Sequence, residues 1–164
     1  MSNPTVSAAE NAPVDIDGAS AVQSILDLKQ ALEALPSSHR LSQADADVIY
    51  AQAFQLAAQG RHEAAYGYFS LLTLYRPTEV RSLKGLALCY RMLEHYDQAL
   101  SVYSFLAVIE PQELDHDIAI VECLLLKREL DEARATVQLV LQCARDQPAG
   151  KAAARAQALH DLLH

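Results

Sequence analysis

The chain has 164 residues, 51% of them hydrophobic and 21% charged, and a formal net charge of −8. That length and composition describe one folded domain with a real core and exclude a disordered chain. The acidic balance excludes nucleic acid or anionic lipid as a main partner, because binding phosphates needs a basic face.

Residues 1–20 carry Pro4, Pro13 and mostly small or polar side chains, and are expected to form a flexible arm. The arm has neither a basic start nor an apolar stretch, so it does not read as a secretory signal, and no apolar run in the chain is long enough to span a bilayer. From Val22 the pattern changes. Val22, Ile25, Leu28, Leu32 and Leu35 recur at three- and four-residue steps, which predicts an amphipathic helix with a narrow apolar seam, ended by Pro36. The seam suits pairing with a second copy, or packing within the same chain. Ser42 then stands as the N-cap of the next helix, with Asp45 three residues on.

Beyond that point the chain repeats itself. Ala65, Ala99 and Ala133 are spaced by 34 residues, followed at the same interval by Phe69, Tyr103 and Val137, and Pro77 and Pro111 close the first two units. The strings GRHEAAYGYFSLLTLYRP, LEHYDQALSVYSFLAVIEP and KRELDEARATVQLVLQ overlay with a small residue followed one turn later by a bulkier one. A period of 34 belongs to tetratricopeptide repeats, stacked helical hairpins in which small residues let paired helices approach closely. The expected fold is therefore all-α. Residues 21–164 form a single domain: the N-terminal helix, three tandem repeats at about 46–79, 80–113 and 114–147, and a capping helix at about 149–163. The third unit is the weakest, with Val121 at a small-residue place and no closing proline.

In such hairpins the first helix of each unit lines the inner face. The first repeat supplies Asp47, Tyr50, Phe54, Ala57 and Ala58. The second supplies Arg81, Lys84, Leu88, Arg91 and Met92, and the third Asp115, Ile118, Glu122, Leu125 and Leu126. Of these, Tyr50, Phe54, Ala57, Lys84, Leu88, Arg91, Glu122 and Leu125 are the candidate peptide-binding residues. Tyr50 and Phe54 lie one turn apart and form an aromatic wall, unless they pack against the N-terminal helix instead. A mixed groove of this kind suits an extended peptide. Clamping a C-terminal carboxylate would need several converging cations, for which the first repeat offers none.

Other chemistry is poorly supported. The six histidines show no metal-ligand spacing, and no phosphate loop or nucleophile motif occurs, so neither a metal, a cofactor, a small-molecule substrate nor an enzymatic activity is expected. Cys89, Cys123 and Cys143 are odd in number and lack CxxC spacing, which suits a reducing compartment. Cys89 and Cys123 stand 34 apart at equivalent places, where they pack as small hydrophobes unless they act as a redox pair.

The chain resembles the class II chaperones of bacterial type III secretion over about residues 22–163. Tyr50 and Phe54 with the QG at 59–60, the run LKGLALCYRMLEHYDQALSVYSFLAVIEP, and AIVECLLLKRELDEA at 119–133 carry the resemblance. It implies a cytoplasmic bacterial chaperone that binds hydrophobic translocator proteins, two in number, through a short extended segment near the client's N-terminus that contains Pro and Leu. The clients are thereby kept apart, soluble and secretion-competent. It also implies a homodimer formed through the N-terminal helical region. Ala57 departs from the family, which often has an aromatic residue there, so one pocket is expected to be wider or differently filled. The alternative is a general tetratricopeptide-repeat adaptor for complex assembly.

Overall fold

The computed structural model describes residues 18–36, 40–145 and 151–163. Most of the expected arm and the break at Pro148 and Gly150 lie outside the described residues, as do the side chains of Val22 and Ile25. Eight helices follow one another among the described residues: α1 Gly18–Glu33, α2 Gln43–Ala58, α3 His62–Tyr75, α4 Val80–Met92, α5 Tyr96–Ile109, α6 Asp115–Lys127, α7 Leu130–Arg145 and α8 Lys151–Leu163. Each helix from α2 onward packs on its successor, and α2 also meets α4 as α6 meets α8. No strand occurs among these residues.

The 34-residue period is written into the backbone hydrogen bonds. After α2, Gly60 N–H donates to Ala57 O at 3.0 Å and Arg61 N–H to Leu56 O at 2.9 Å. Glu94 and His95 repeat this pair of bonds onto Arg91 and Tyr90, and Arg128 and Glu129 repeat it onto Leu125 and Leu124. These are Schellman closures, and they place Gly60, Glu94 and Arg128 at φ of 75°, 63° and 66°. Only the first turn carries the glycine that this left-handed conformation favours. Glu94 and Arg128 each bear a cost of roughly 1–2 kcal/mol that glycine avoids.

Packing follows the same interval. Ala65, Ala99 and Ala133 are fully buried, as are Ala53, Ala87 and Val121 on the facing helices. Phe69, Tyr103 and Val137 fill the space between each hairpin and the next, giving three linked apolar clusters rather than one central core. The third cluster contains Ala156 and Leu163, so α8 covers the last apolar face of the array. At the other end, Ser42 caps α2: its Oγ accepts from Asp45 N–H at 3.1 Å and donates to the Asp45 carboxylate at 2.6 Å. Helix α1 runs close to α5, and its Glu33 carboxylate accepts from Thr78 Oγ1 at 2.8 Å.

Candidate functional site: a groove on the inner face

Helices α2 and α4 enclose an apolar cavity of about 340 Å³. Tyr50, Phe54, Ala57 and Ala58 form one wall, Arg81, Lys84 and Leu88 the other, and Phe69 and Gly85 the floor. The Tyr50 and Phe54 rings stack with centroids 6.3 Å apart, and Tyr50 meets Phe69 edge-on at 5.9 Å. The Arg81 guanidinium carbon lies 4.6 Å above the Tyr50 ring, a cation–π contact that orients the wall. Phe54 is 58% exposed, so it does not pack on α1 and presents its ring to the groove.

Lys84 and Leu88 also border a second cavity of about 370 Å³, which continues the groove toward α6 and α8. This one is polar, with Arg91, Glu113, Asp115, His116, Glu122 and Arg155 around it. A roomier depression of about 610 Å³ lies elsewhere, between Leu41–Gln43 and Arg76–Glu79. The Arg76 guanidinium donates into it, to Gln43 and to the Leu41 carbonyl, and none of the sequence-derived groove residues borders it.

The charged groove residues are paired, most of them across the repeats. Arg81 binds Asp47 of the preceding repeat and Glu79 beside it, and Arg91 binds Glu122 of the following repeat. Lys84 Nζ lies 3.0 Å from Glu110, whose same carboxylate oxygen stands 2.9 Å from Nε2 of the buried His116. Hydrogen bonds from His116 and then Lys84 hold the Glu110 carboxyl below the usual carboxylate range, and Arg81 does the same for Asp47. A carboxyl depressed in the folded state stabilises above its unfolded pKa, and that contribution disappears as pH falls through the folded value. Arg155 of α8 completes the series by reaching Glu122 and, at 3.3 Å, Asp115. Arg81, Lys84 and Arg91, the groove cations that a carboxylate clamp would need, are thus already matched by acids.

The groove assignment therefore gathers Tyr50, Phe54, Ala57, Lys84 and Leu88 around one cavity, and Arg91 and Glu122 around its polar neighbour. Leu125 sits elsewhere, half-buried against the C-terminal cluster. Ile118 is fully buried in that cluster with Ala156 and Leu163, because α8 lies over this part of α6 and removes it from the inner face. Met92 and Leu126 are half exposed beyond the cavities. Of the expected seam, Leu28 is exposed and Leu32 half-buried on α1, whereas Leu35 is exposed beyond the end of that helix, which stops at Glu33.

Three contributors escaped the reading of the sequence. Phe69 looked like core alone but also floors the apolar cavity. Arg155 stands on the capping helix, outside the repeats whose register places the groove residues. Gly85 is a mid-helix glycine, a costly choice that often has a packing reason, and that was the signal available. A Cβ there would stand 2.3 Å from the Phe69 ring. The two periodic thiols are fully buried, and burial pushes Cys89 up to about 11 and Cys123 upward as well, which suppresses the reactive thiolate. Among the described residues no cluster of three potential ligands could hold a metal ion, and no helix is long and apolar enough to cross a membrane.

Stacked hairpins with an aromatic groove on the inner face define a tetratricopeptide-repeat binding scaffold, and the tetratricopeptide-repeat family model matches residues 47–78 and 82–113. The chain is 31% identical over 100 residues to low calcium response locus protein H of Yersinia pseudotuberculosis, a match spanning 61% of this chain and 60% of that protein's length. It is 30% identical to PcrH, a Pseudomonas aeruginosa protein solved in complex with the chaperone binding region of PopD. There the TM-score is 0.68, with 76% of this chain and 94% of PcrH covered. The Yersinia enterocolitica type III secretion translocator chaperone SycD, solved with a peptide of the translocator YopD, is 28% identical with a TM-score of 0.66, covering 74% and 94%. SycD has also been solved as an alternative dimer, at 27% identity and a TM-score of 0.66, covering 74% and 93%. The chain belongs to the class II chaperone family of type III secretion.

Proposed function

We propose that this chain is a cytoplasmic bacterial chaperone that holds hydrophobic type III translocators before their secretion. An extended segment near the client's N-terminus lies in the inner groove, with apolar side chains in the cavity beside Tyr50 and Phe54. Two translocators are served in this way and kept apart, soluble and secretion-competent. The observation that carries the reading is the bare aromatic wall. A ring as exposed as Phe54, stacked on Tyr50 above an apolar cavity, is a surface built to be covered. PcrH, which shares this fold, has been solved with the chaperone binding region of PopD, and SycD with a peptide of the translocator YopD.

The paired charges favour an internal segment over a free C-terminus. A carboxylate entering the groove would have to displace Asp47, Glu110 or Glu122 from the cations they already satisfy, which disfavours a clamp-type general adaptor. Capture by small apolar pockets is reversible without nucleotide or catalysis, as release at a secretion machine requires.

Co-expression with a translocator from the same operon tests the reading. The client is expected to move from the insoluble to the soluble fraction and to co-purify with the chain. A client that stays insoluble, or a preference for heat-shock-type C-terminal peptides, would overturn it. The exposed Leu28 on α1 further supports pairing of two copies through that helix. Sedimentation of the free protein is expected to give a dimer that Leu28→Arg converts to monomer; a wild-type monomer at all concentrations removes that proposal.

A further inference from the structure

We propose that the edge of the solenoid where the first two repeats turn carries a second binding site, which takes an arginine side chain of a protein partner. The site stands apart from the inner groove and does not depend on what the groove holds.

It is a trough of two adjoining depressions. One, of about 320 Å³, is bordered by Glu63, Tyr66, Leu93 and His95. The other, of about 550 Å³, shares Glu63 and Leu93 with it and runs on past Ala64 and Met92. No residue of the two groove cavities borders either one. The repeat builds the trough: Glu63 and Tyr66 lie near the start of α3, and Leu93 and His95 in the turn that closes α4.

Three observations name the occupant. Glu63 is exposed and makes no ion pair among the described residues, unlike Asp47, Glu110 and Glu122 of the groove region. Its place in the first turn of α3 suits the helix dipole and still leaves its charge open to a ligand. The same cavity contains the Tyr66 ring, which is held by Tyr90 at 5.3 Å between centroids, and Tyr90 lies 6.3 Å from the His95 ring. A carboxylate beside a fixed aromatic ring attracts a cation twice, through its charge and through the ring's quadrupole. Lastly, Leu93, Ala64 and the half-exposed Met92 offer an apolar bed for an aliphatic stem.

Arginine meets all three conditions. Its planar guanidinium stacks on rings and pairs with a carboxylate through two hydrogen bonds, which an ammonium cannot do. Arg61, a cation of the protein itself, borders the larger depression alone and leaves the smaller one to Glu63. The net charge of −8 draws a basic partner toward the chain.

NMR titration of the full chain with N-acetyl-argininamide and its neutral isostere N-acetyl-citrullinamide, at millimolar concentration, tests the site. The arginine amide is expected to bind roughly threefold to tenfold more tightly, and to weaken as salt is raised. The largest shifts should fall on the amides of Glu63, Tyr66, Leu93 and His95. Glu63→Gln, at an exposed position, should erase the preference while the rest of the spectrum reports an intact fold. Equal affinities, shifts centred on Asp47 or Glu122, or no binding of the arginine amide would overturn the proposal. Glu63→Gln should also leave client capture by co-expression unchanged, and a loss of capture would overturn the independence of trough and groove.

Discussion

The double substitution Tyr50→Ala, Phe54→Ala is expected to abolish client capture while leaving the chain folded. Both rings belong to the wall that a bound segment would cover, and buried aromatic anchors carry most of the energy of such contacts. Affinity should fall at least about a hundredfold, measured by calorimetry with the client's groove-binding segment. The fold should tolerate the change because Phe54 is 58% exposed and Tyr50 half-buried, so neither is a keystone of the first apolar cluster. A loss of about 1–3 kcal/mol from trimming Tyr50 away from Phe69 should lower the melting temperature by several degrees. Capture at wild-type strength by the double variant would remove the groove from its assigned role.

Gly85→Ala is expected to be nearly as damaging, for a different reason. The added methyl would stand 2.3 Å from the Phe69 ring, inside any tolerable contact, and Phe69 is itself almost completely buried. The ring must swing away, which carries an overpacking cost of about 1–3 kcal/mol, only partly offset by alanine's better helix propensity of about 1 kcal/mol. The displaced ring also disturbs the floor of the apolar cavity, so client affinity and stability should fall together. Phe69→Leu in the same chain should restore part of the stability, since the two positions share one space and their effects cannot add. Thermal melts of the two single variants and the double variant measure this, and simple additivity would show that the contact is unimportant.

The sequence and the structure agree most closely where a rule of period applies. Ala65, Ala99 and Ala133 announced the hairpins because close helix approach tolerates few residue types. Tyr50 and Phe54 could be placed on the inner wall from register alone. Register failed at Ile118 and Leu125, since it describes an endless array and this array ends: α8 folds over α6 and claims Ile118 for the core. The ion pairs were illegible for a related reason. Arg155 meets Glu122 and Asp115 only through a capping helix whose docking no repeat rule specifies. Gly85 shows a further gap, because the argument for it runs through the position of one ring rather than through any pattern.

The placement of charge along the groove has a mechanical consequence. Neighbouring units are joined by two materials: dry apolar contacts through the hairpin clusters, and the partly exposed ion pairs Arg81–Asp47 and Arg91–Glu122 along the inner edge. The former resist separation, whereas each exposed pair contributes at most about 1 kcal/mol and weakens with salt. The solenoid is therefore compliant in one direction, able to uncurl on its inner side while its packed side acts as the hinge. A guest wedged into the groove works against a soft spring, and letting go of it requires no melting of the core.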